Sequence, residues 1–105
     1  MHIYKICTCV LWEETLETGV FPGMAIDVAD GYIHFSTAEQ KPETARKYFA
    51  GQKDLMLLTV EADTLGEALK WEASSSGTRA GMFPHLYAPL LRVHIISAEP
   101  FDVPE

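Results

Sequence analysis

The chain is poor in cysteine, poor in positive charge and free of any long apolar run, and each shortage excludes a class of protein. Only two of its 105 residues are cysteine. Cys7 and Cys9 sit two apart at the end of the first expected strand, a separation that does not favour a mutual disulfide. Two thiols also fall short of the four ligands of a structural zinc. They read as small, partly buried thiols of a reducing compartment. Lys and Arg together number 8 against 15 Asp and Glu, a net charge of −7. Nucleic-acid-binding domains show a basic stripe, so no surface for a nucleic-acid polymer is expected. A small anionic ligand stays open, because one or two cations suffice to hold it. No stretch approaches a membrane span, and the N-terminus lacks a basic region followed by an apolar run. A cytoplasmic protein without a membrane partner is therefore expected.

What is present fits one compact unit. A chain of this length holds a single core, so residues 1–105 are read as one domain. Its 48% hydrophobic and 22% charged residues are ordinary for a soluble globule.

Two short segments carry the chemistry: Gly31-Tyr32-Ile33-His34-Phe35-Ser36 and Phe83-Pro84-His85-Leu86-Tyr87-Ala88-Pro89-Leu90. Successive strand side chains point to opposite faces. Ile33 and Phe35 thus supply a core face, while Tyr32, His34 and Ser36 form a polar row behind it. Phe83, His85 and Tyr87 share one side of the second segment, and its flanking prolines place it near an edge or a bend. If the two polar rows belong to one pocket, the imidazoles should lie within about 10 Å of each other, a ligand's width.

Around these segments the pattern is coarse. His2 to Thr8 reads as a strand. Val10 to Thr18 suggests a short helix with Trp12 and Leu16 on one face, Glu13 and Glu14 in its first turn and Gly19 as its stop. Phe21-Pro22-Gly23 is a turn, and Asp30-Gly31 opens the His34 strand. Ser36 or Thr37 offers an N-cap, with Glu39 or Gln40 as capping-box partner. The helix that follows places Ala45, Tyr48 and Phe49 together and ends at Gly51, with Pro42 restricted to its first turn. Leu55 to Val60 is continuously apolar, as a strand covered on both faces is. Ala68 to Ala73 alternates, with Trp71 expected in the core. A last strand is expected from Leu91 to about Ala98. Strands outnumber helices by about two to one, which indicates an α+β domain with a mixed or antiparallel sheet.

Ile3-Tyr4-Lys5-Ile6, Asp30 to Ser36, the Ala45 to Gly51 helix end, Leu69-Lys70-Trp71-Glu72 and Phe83-Pro84-His85-Leu86-Tyr87 follow one another in a telling order. In that order they resemble a small bacterial family of uncharacterised proteins, domain-of-unknown-function family 952. The resemblance covers nearly the whole chain. Members of that family look like the ADP-ribosyltransferase fold, a split, mainly antiparallel sheet with two or three short helices and a cleft that holds NAD in the enzymes. The resemblance implies a nucleotide or NAD-like ligand, NAD as the cofactor, and transferase or glycohydrolase chemistry. Enzymes of that superfamily place a basic residue on the first strand to hold the nicotinamide ribose. Lys5 and His2 are the nearest counterparts, on opposite faces, so at most one serves. His34 with Ser36 matches the Ser- or Tyr-containing strand that follows, and it is similar to the His-x-Ser strand of RNA 2′-phosphotransferases. The third element is a Glu on a later strand that stabilises oxocarbenium character. The corresponding strand here holds His85 and no Glu, and Glu72 on the preceding strand is the nearest substitute.

His34 and His85 are candidate acid, base or phosphate-binding groups, or else imidazoles satisfied by backbone carbonyls. Glu72 is either the site's acid or a solvated carboxylate. Ser36 binds ligand or merely caps the helix. Tyr32 and Tyr87 form a pocket rim or pack, and Lys5 contributes a cation on the first strand. Residues 74–81 form a Ser- and Gly-rich connection, and Arg79 within it is the one cation placed to close over an anion. An anionic ligand is expected near the helix start after Ser36. Three function classes follow: a nucleotide- or NAD-type small-molecule site, a non-catalytic binding or sensor domain, and a metal site of His34, His85 and a carboxylate such as Glu72 or Asp30. No metal motif matches the spacings, so no metal ligand is assigned.

Overall fold

The computed structural model describes residues 1–74 and 81–104. Strand β1, His2–Thr8, is followed without a loop by helix α1, Cys9–Thr18. The Thr8 hydroxyl caps that helix by accepting the Leu11 N–H at 3.2 Å. Gly19 closes it in the left-handed conformation, φ +83°, which costs glycine no steric strain. Starting at Cys9 moves Glu13 and Glu14 out of the first turn, and Leu16 points outward while Trp12 packs on the core.

A second helix, α2 (Ala25–Asp30), lies where the sequence suggests only a connection. It is six residues long and rich in β-branched and acidic residues, too short for an apolar period to show. Its start is fixed by Asp27, whose Oδ2 accepts the Met24 N–H at 2.7 Å, the carboxylate half of a capping box. Gly31, φ +83°, ends it and turns the chain into β2, Ile33–His34.

Helix α3, Lys41–Phe49, carries Pro42 in its first turn and buries Ala45 and Phe49. Its lead-in is a reciprocal pair in which Thr37 N–H donates to Gln40 Oε1 and Gln40 N–H to Thr37 Oγ1. Thr37 and Gln40 thus make the capping box, and Ser36 takes no part in it. Tyr48, one position off the buried stripe, stands at the rim.

The remaining strands are β3 (Leu55–Glu61), β4 (Leu69–Ala73), β5 (Met82–Leu86) and β6 (Ile95–Phe101). They form two three-stranded antiparallel sheets, ordered β1-β3-β6 and β2-β5-β4. β3 is central in the first sheet, which accounts for its apolar run. β6 begins later than Leu91 because residues 92–94 form a 3-10 turn in which the His94 ring accepts the Leu91 N–H at 3.0 Å. Trp71 is 40% exposed, not core: β4 is an outer strand, so its side chain has a strand neighbour on one side only. Tyr4 and Ser36 join the two sheets through a pair of backbone hydrogen bonds at 2.8 and 2.9 Å. Leu58, Val60, Ile33, Phe35 and Leu86 fill the space between them, and Ile6, Ala45, Phe49 and Leu55 form a second cluster under α3. The architecture is α+β, with small antiparallel sheets and three short α-helices among the described residues.

Candidate functional site

His34 and His85 are direct cross-strand partners in the β2–β5 ladder. Their ring centroids are 5.2 Å apart, well inside the spacing a shared pocket requires. Tyr32 lies against both, stacked on His85 at 4.4 Å and tilted on His34 at 4.5 Å. Tyr87 adds a fourth ring, 5.0 Å from Tyr32.

Each imidazole is held by acidic side chains. His34 Nδ1 is 2.7 Å from Asp27 Oδ1, and Nε2 is 2.9 Å from Asp30 Oδ2. Carboxylates accept and do not donate, so both contacts are hydrogen bonds together only when both ring nitrogens carry protons. His85 Nδ1 is 2.9 Å from Glu72 Oε1. A single contact of that kind fixes the tautomer and leaves Nε2 as the ring's other polar atom. Burial favours the neutral form and holds His85 below its ordinary pKa, against the pull of Glu72.

Asp27 is the centre of the polar network. It is buried, and burial alone would raise its pKa. Hydrogen bonds from the His34 ring and the Lys5 ammonium outweigh that and bring the carboxyl down to about 2. Oδ1 receives the Lys5 Nζ at 2.8 Å and the His34 backbone N–H at 3.0 Å in addition to the His34 ring. Lys5 shares the β1 face of Ile3 and Cys7, which belong to the core. Its burial favours loss of the proton, and Asp27 opposes this.

Glu72 joins the site from β4. Its Oε1 accepts the Tyr87 hydroxyl at 2.7 Å as well as contacting His85. Those two hydrogen bonds, Tyr87's the larger effect, lower the carboxyl. The same bond, with burial, pushes the Tyr87 phenol up to about 12. Glu72 is therefore neither a lone solvated carboxylate nor a group facing the cavity directly. It acts on His85 from behind.

A cavity of about 240 Å³ opens beside the network. Lys5, His34, Ser36, Thr44 and His85 are among its polar walls, and Met24, Phe49 and Phe83 supply apolar ones. The Ser36 and Thr44 hydroxyls meet at 2.9 Å. Tyr32 and Tyr87 line a second, more open depression with the other side of Asp27. The structure thus brings Lys5, His34, Ser36 and His85 together at one cavity, with Tyr32, Tyr87 and Glu72 around it. Arg79 lies outside the described residues, as do residues 75–80 of its connection. His2 is exposed, so Lys5 alone of the two first-strand candidates reaches the site. Of the amides before α3, those of Thr37 and Gln40 are bonded within the Thr37–Gln40 pair and that of Lys41 to Thr37 O. Among the described residues no group of three or more His, Cys, Asp or Glu side chains is arranged to hold a metal ion.

Asp27 and Thr44 carry no functional weight in the sequence pattern. For Asp27 the available signal was an acidic residue three positions after Met24, just beyond the Pro22-Gly23 turn, the spacing of a helix first turn.

The model of the family described as Protein of unknown function (DUF952) matches residues 6–98. The chain belongs to this family. The DUF952 chain is also similar to protein CC0527 from Caulobacter crescentus. It is 49% identical to a crystal structure of that protein, with a TM-score of 0.89 over 97% of this chain and 87% of that one. A solution NMR structure of CC0527 gives 50% identity, a TM-score of 0.84 and coverage of 96% and 84%. No curated protein matches the DUF952 chain.

Proposed function

We propose that this cavity is a small-molecule site of nucleotide or NAD-like class, in which the planar ring of the ligand enters and the phosphates stay outside. Its size supports the reading. At about 240 Å³ it falls below the roughly 300–1,000 Å³ of pockets that enclose a whole drug-sized ligand. The Ser36–Thr44 hydroxyl pair and the two imidazole edges supply the few polar contacts that orient such a ring. The observation that carries the proposal is the pairing of His34 and His85 on one wall, His34 held by Asp27 and Asp30 and His85 by Glu72.

The two imidazoles divide the work. His85, held by Glu72 through Nδ1 and kept neutral by burial, is the proton acceptor and donor through Nε2. His34, between Asp27 and Asp30, donates. Their unlike hydrogen-bond partners are what give the two rings unlike roles. N-glycosidic cleavage or transfer, as the ADP-ribosyltransferase-like resemblance implies, is the reaction class. The split antiparallel sheets and the order of the motifs support that likeness. A second reading, a non-catalytic binding or sensor domain, has one observation in its favour: β5 offers His85 where the resemblance calls for a Glu.

Calorimetric titration with adenosine, AMP and NAD at pH 6 and pH 8, on the wild type and His34→Ala, tests the site. Binding of all three that weakens in His34→Ala supports it, and binding by none refutes it. Product analysis after incubation with NAD separates the readings, since released nicotinamide marks an enzyme and intact NAD a binding domain.

A further inference from the structure

We propose that Lys5 is an imine-forming lysine, and that small aldehydes and ketones entering the cavity condense with its Nζ. The inference rests on the reading of the cavity as a small-molecule site and goes beyond it to covalent chemistry.

The argument begins with donors. A lysine ammonium carries three N–H groups, and a buried one is normally held by at least one acceptor. The Lys5 side chain is 6% exposed. Among the described residues its Nζ makes one hydrogen bond, to Asp27 Oδ1 at 2.8 Å. Lys5 also lines the 240 Å³ cavity. Among the described residues, then, Asp27 is the one side-chain acceptor that the ammonium has, and Lys5 borders the space where a ligand fits.

A protonated imine needs one acceptor only. Its nitrogen keeps the positive charge and one N–H, and the Asp27 carboxylate is the one acceptor in place for it. The other two positions on nitrogen become the double bond to the ligand carbon, whose substituents occupy the cavity. Asp27 receives the Met24 and His34 amides and the His34 ring as well, so it is fixed as a counter-ion before any ligand arrives.

The chemistry balances without a co-reactant. The ammonium lends a proton to a base, and the nitrogen lone pair attacks the carbonyl carbon to form the C–N bond. The carbonyl oxygen takes two protons that began on nitrogen and leaves as water as the C–O bond breaks. Ammonium and carbonyl compound thus become protonated imine and water, with no net change of charge. His85, in the same cavity wall and held through Nδ1 by Glu72, is the group placed to carry the proton from nitrogen to oxygen. Its apolar neighbours Phe83 and Phe49 limit the water that would hydrolyse the product. The His34 ring shares Asp27 Oδ1 with the Lys5 nitrogen and is bound to Asp30 through its other nitrogen. Cys7, on the same face of β1, has its thiol pushed by burial up to about 12 and so does not compete as the nucleophile at neutral pH.

Benzaldehyde is the probe, with sodium cyanoborohydride to reduce any imine to a stable amine and peptide mapping to locate it. Lys41, Lys47, Lys53 and Lys70 are the internal controls. An ordinary lysine is neutral to only about one part in 2,500 at pH 7, so surface labelling is slow. Lys5 should be labelled at least about tenfold faster than any of the four. Lys5→Arg, which keeps the cation for Asp27 but forms no such adduct, should lose the fast label while the four controls react unchanged. Labelling of Lys5 no faster than the controls overturns the inference, and if adenosine still binds that protein the cavity reading survives it. Fast Lys5 labelling that saturating adenosine fails to suppress upholds the imine chemistry and counts against the nucleotide-type reading instead.

Discussion

Asp27 decides more at the residue scale than any group the sequence advertises. It neutralises Lys5, orients His34 and caps α2, so its loss leaves a buried ammonium without a partner. Removing one member of a buried pair typically costs about 3–5 kcal/mol. Asp27→Asn should fall in that range by urea denaturation, and a cost below about 1 kcal/mol would mean that Lys5 is not held as the geometry indicates. Glu72 and Tyr87 make a gentler case, because both are substantially exposed. Tyr87→Phe removes the larger of the two hydrogen bonds that lower the Glu72 carboxyl, while His85 still holds it. NMR titration of that carboxyl should show it move upward toward the ordinary glutamate range. An unchanged Glu72 in the variant would show that the phenol contributes nothing to it.

At the scale of elements, the site depends on where α2 stops. Gly31 sits at φ +83° with nothing within 4 Å of the position a Cβ would take. The cost of Gly31→Ala is therefore backbone strain alone, about 1 kcal/mol, and a denaturation midpoint shift of that size is expected. A neutral substitution would mean the turn tolerates an ordinary backbone there. Elements with a long period or a sharp stop were legible in the sequence: β1 to the residue, α1 with its Gly19 end, α3 with Pro42 in its first turn, and β3 from its apolar run. The nearness of the two histidine segments was legible, since alternation put His34 and His85 on polar faces and the ladder made them neighbours. What could not be read was α2. Six residues hold under two turns, and Ile26 and Val28 argue locally for extended chain. With α2 hidden, Asp27 had no partner in view, and Lys5 looked like a cation available to a phosphate when it is one already paired. Trp71 shows the opposite error, a large apolar residue read as core on a strand that has a neighbour on one side only.

Across the whole molecule, the two sheets share one core, and among the described residues the Tyr4–Ser36 pair links their backbones directly. If the sheets unfold together, the Tyr4 and Ser36 amides should exchange hydrogen as slowly as the slowest amides of β3. Exchange of Ser36 through a lower-energy opening would show that the His34 sheet detaches by itself. Acid should weaken the fold in two windows. His85 is depressed below about 6.5, so as pH falls past that value the unfolded chain takes a proton that the native one refuses, and stability drops. Asp27 contributes fully above its unfolded value of about 4, and that contribution, on the order of 2 kcal/mol, is lost as pH falls toward its native value of about 2. Urea midpoints measured from pH 8 to pH 2 should therefore decline in both windows, and a rise on acidification would reverse the sign assigned to both groups. The central claim is that His34 and His85 work as an unlike pair on one ligand wall. Nitrogen-15 NMR of the histidine rings near pH 7, before and after addition of adenosine, tests it most directly. His85 is expected to be neutral with its proton on Nδ1, and both rings should shift over one binding curve while His2 and His94 stay still. A His85 proton on Nε2, or a ligand response confined to His2 and His94, would contradict it.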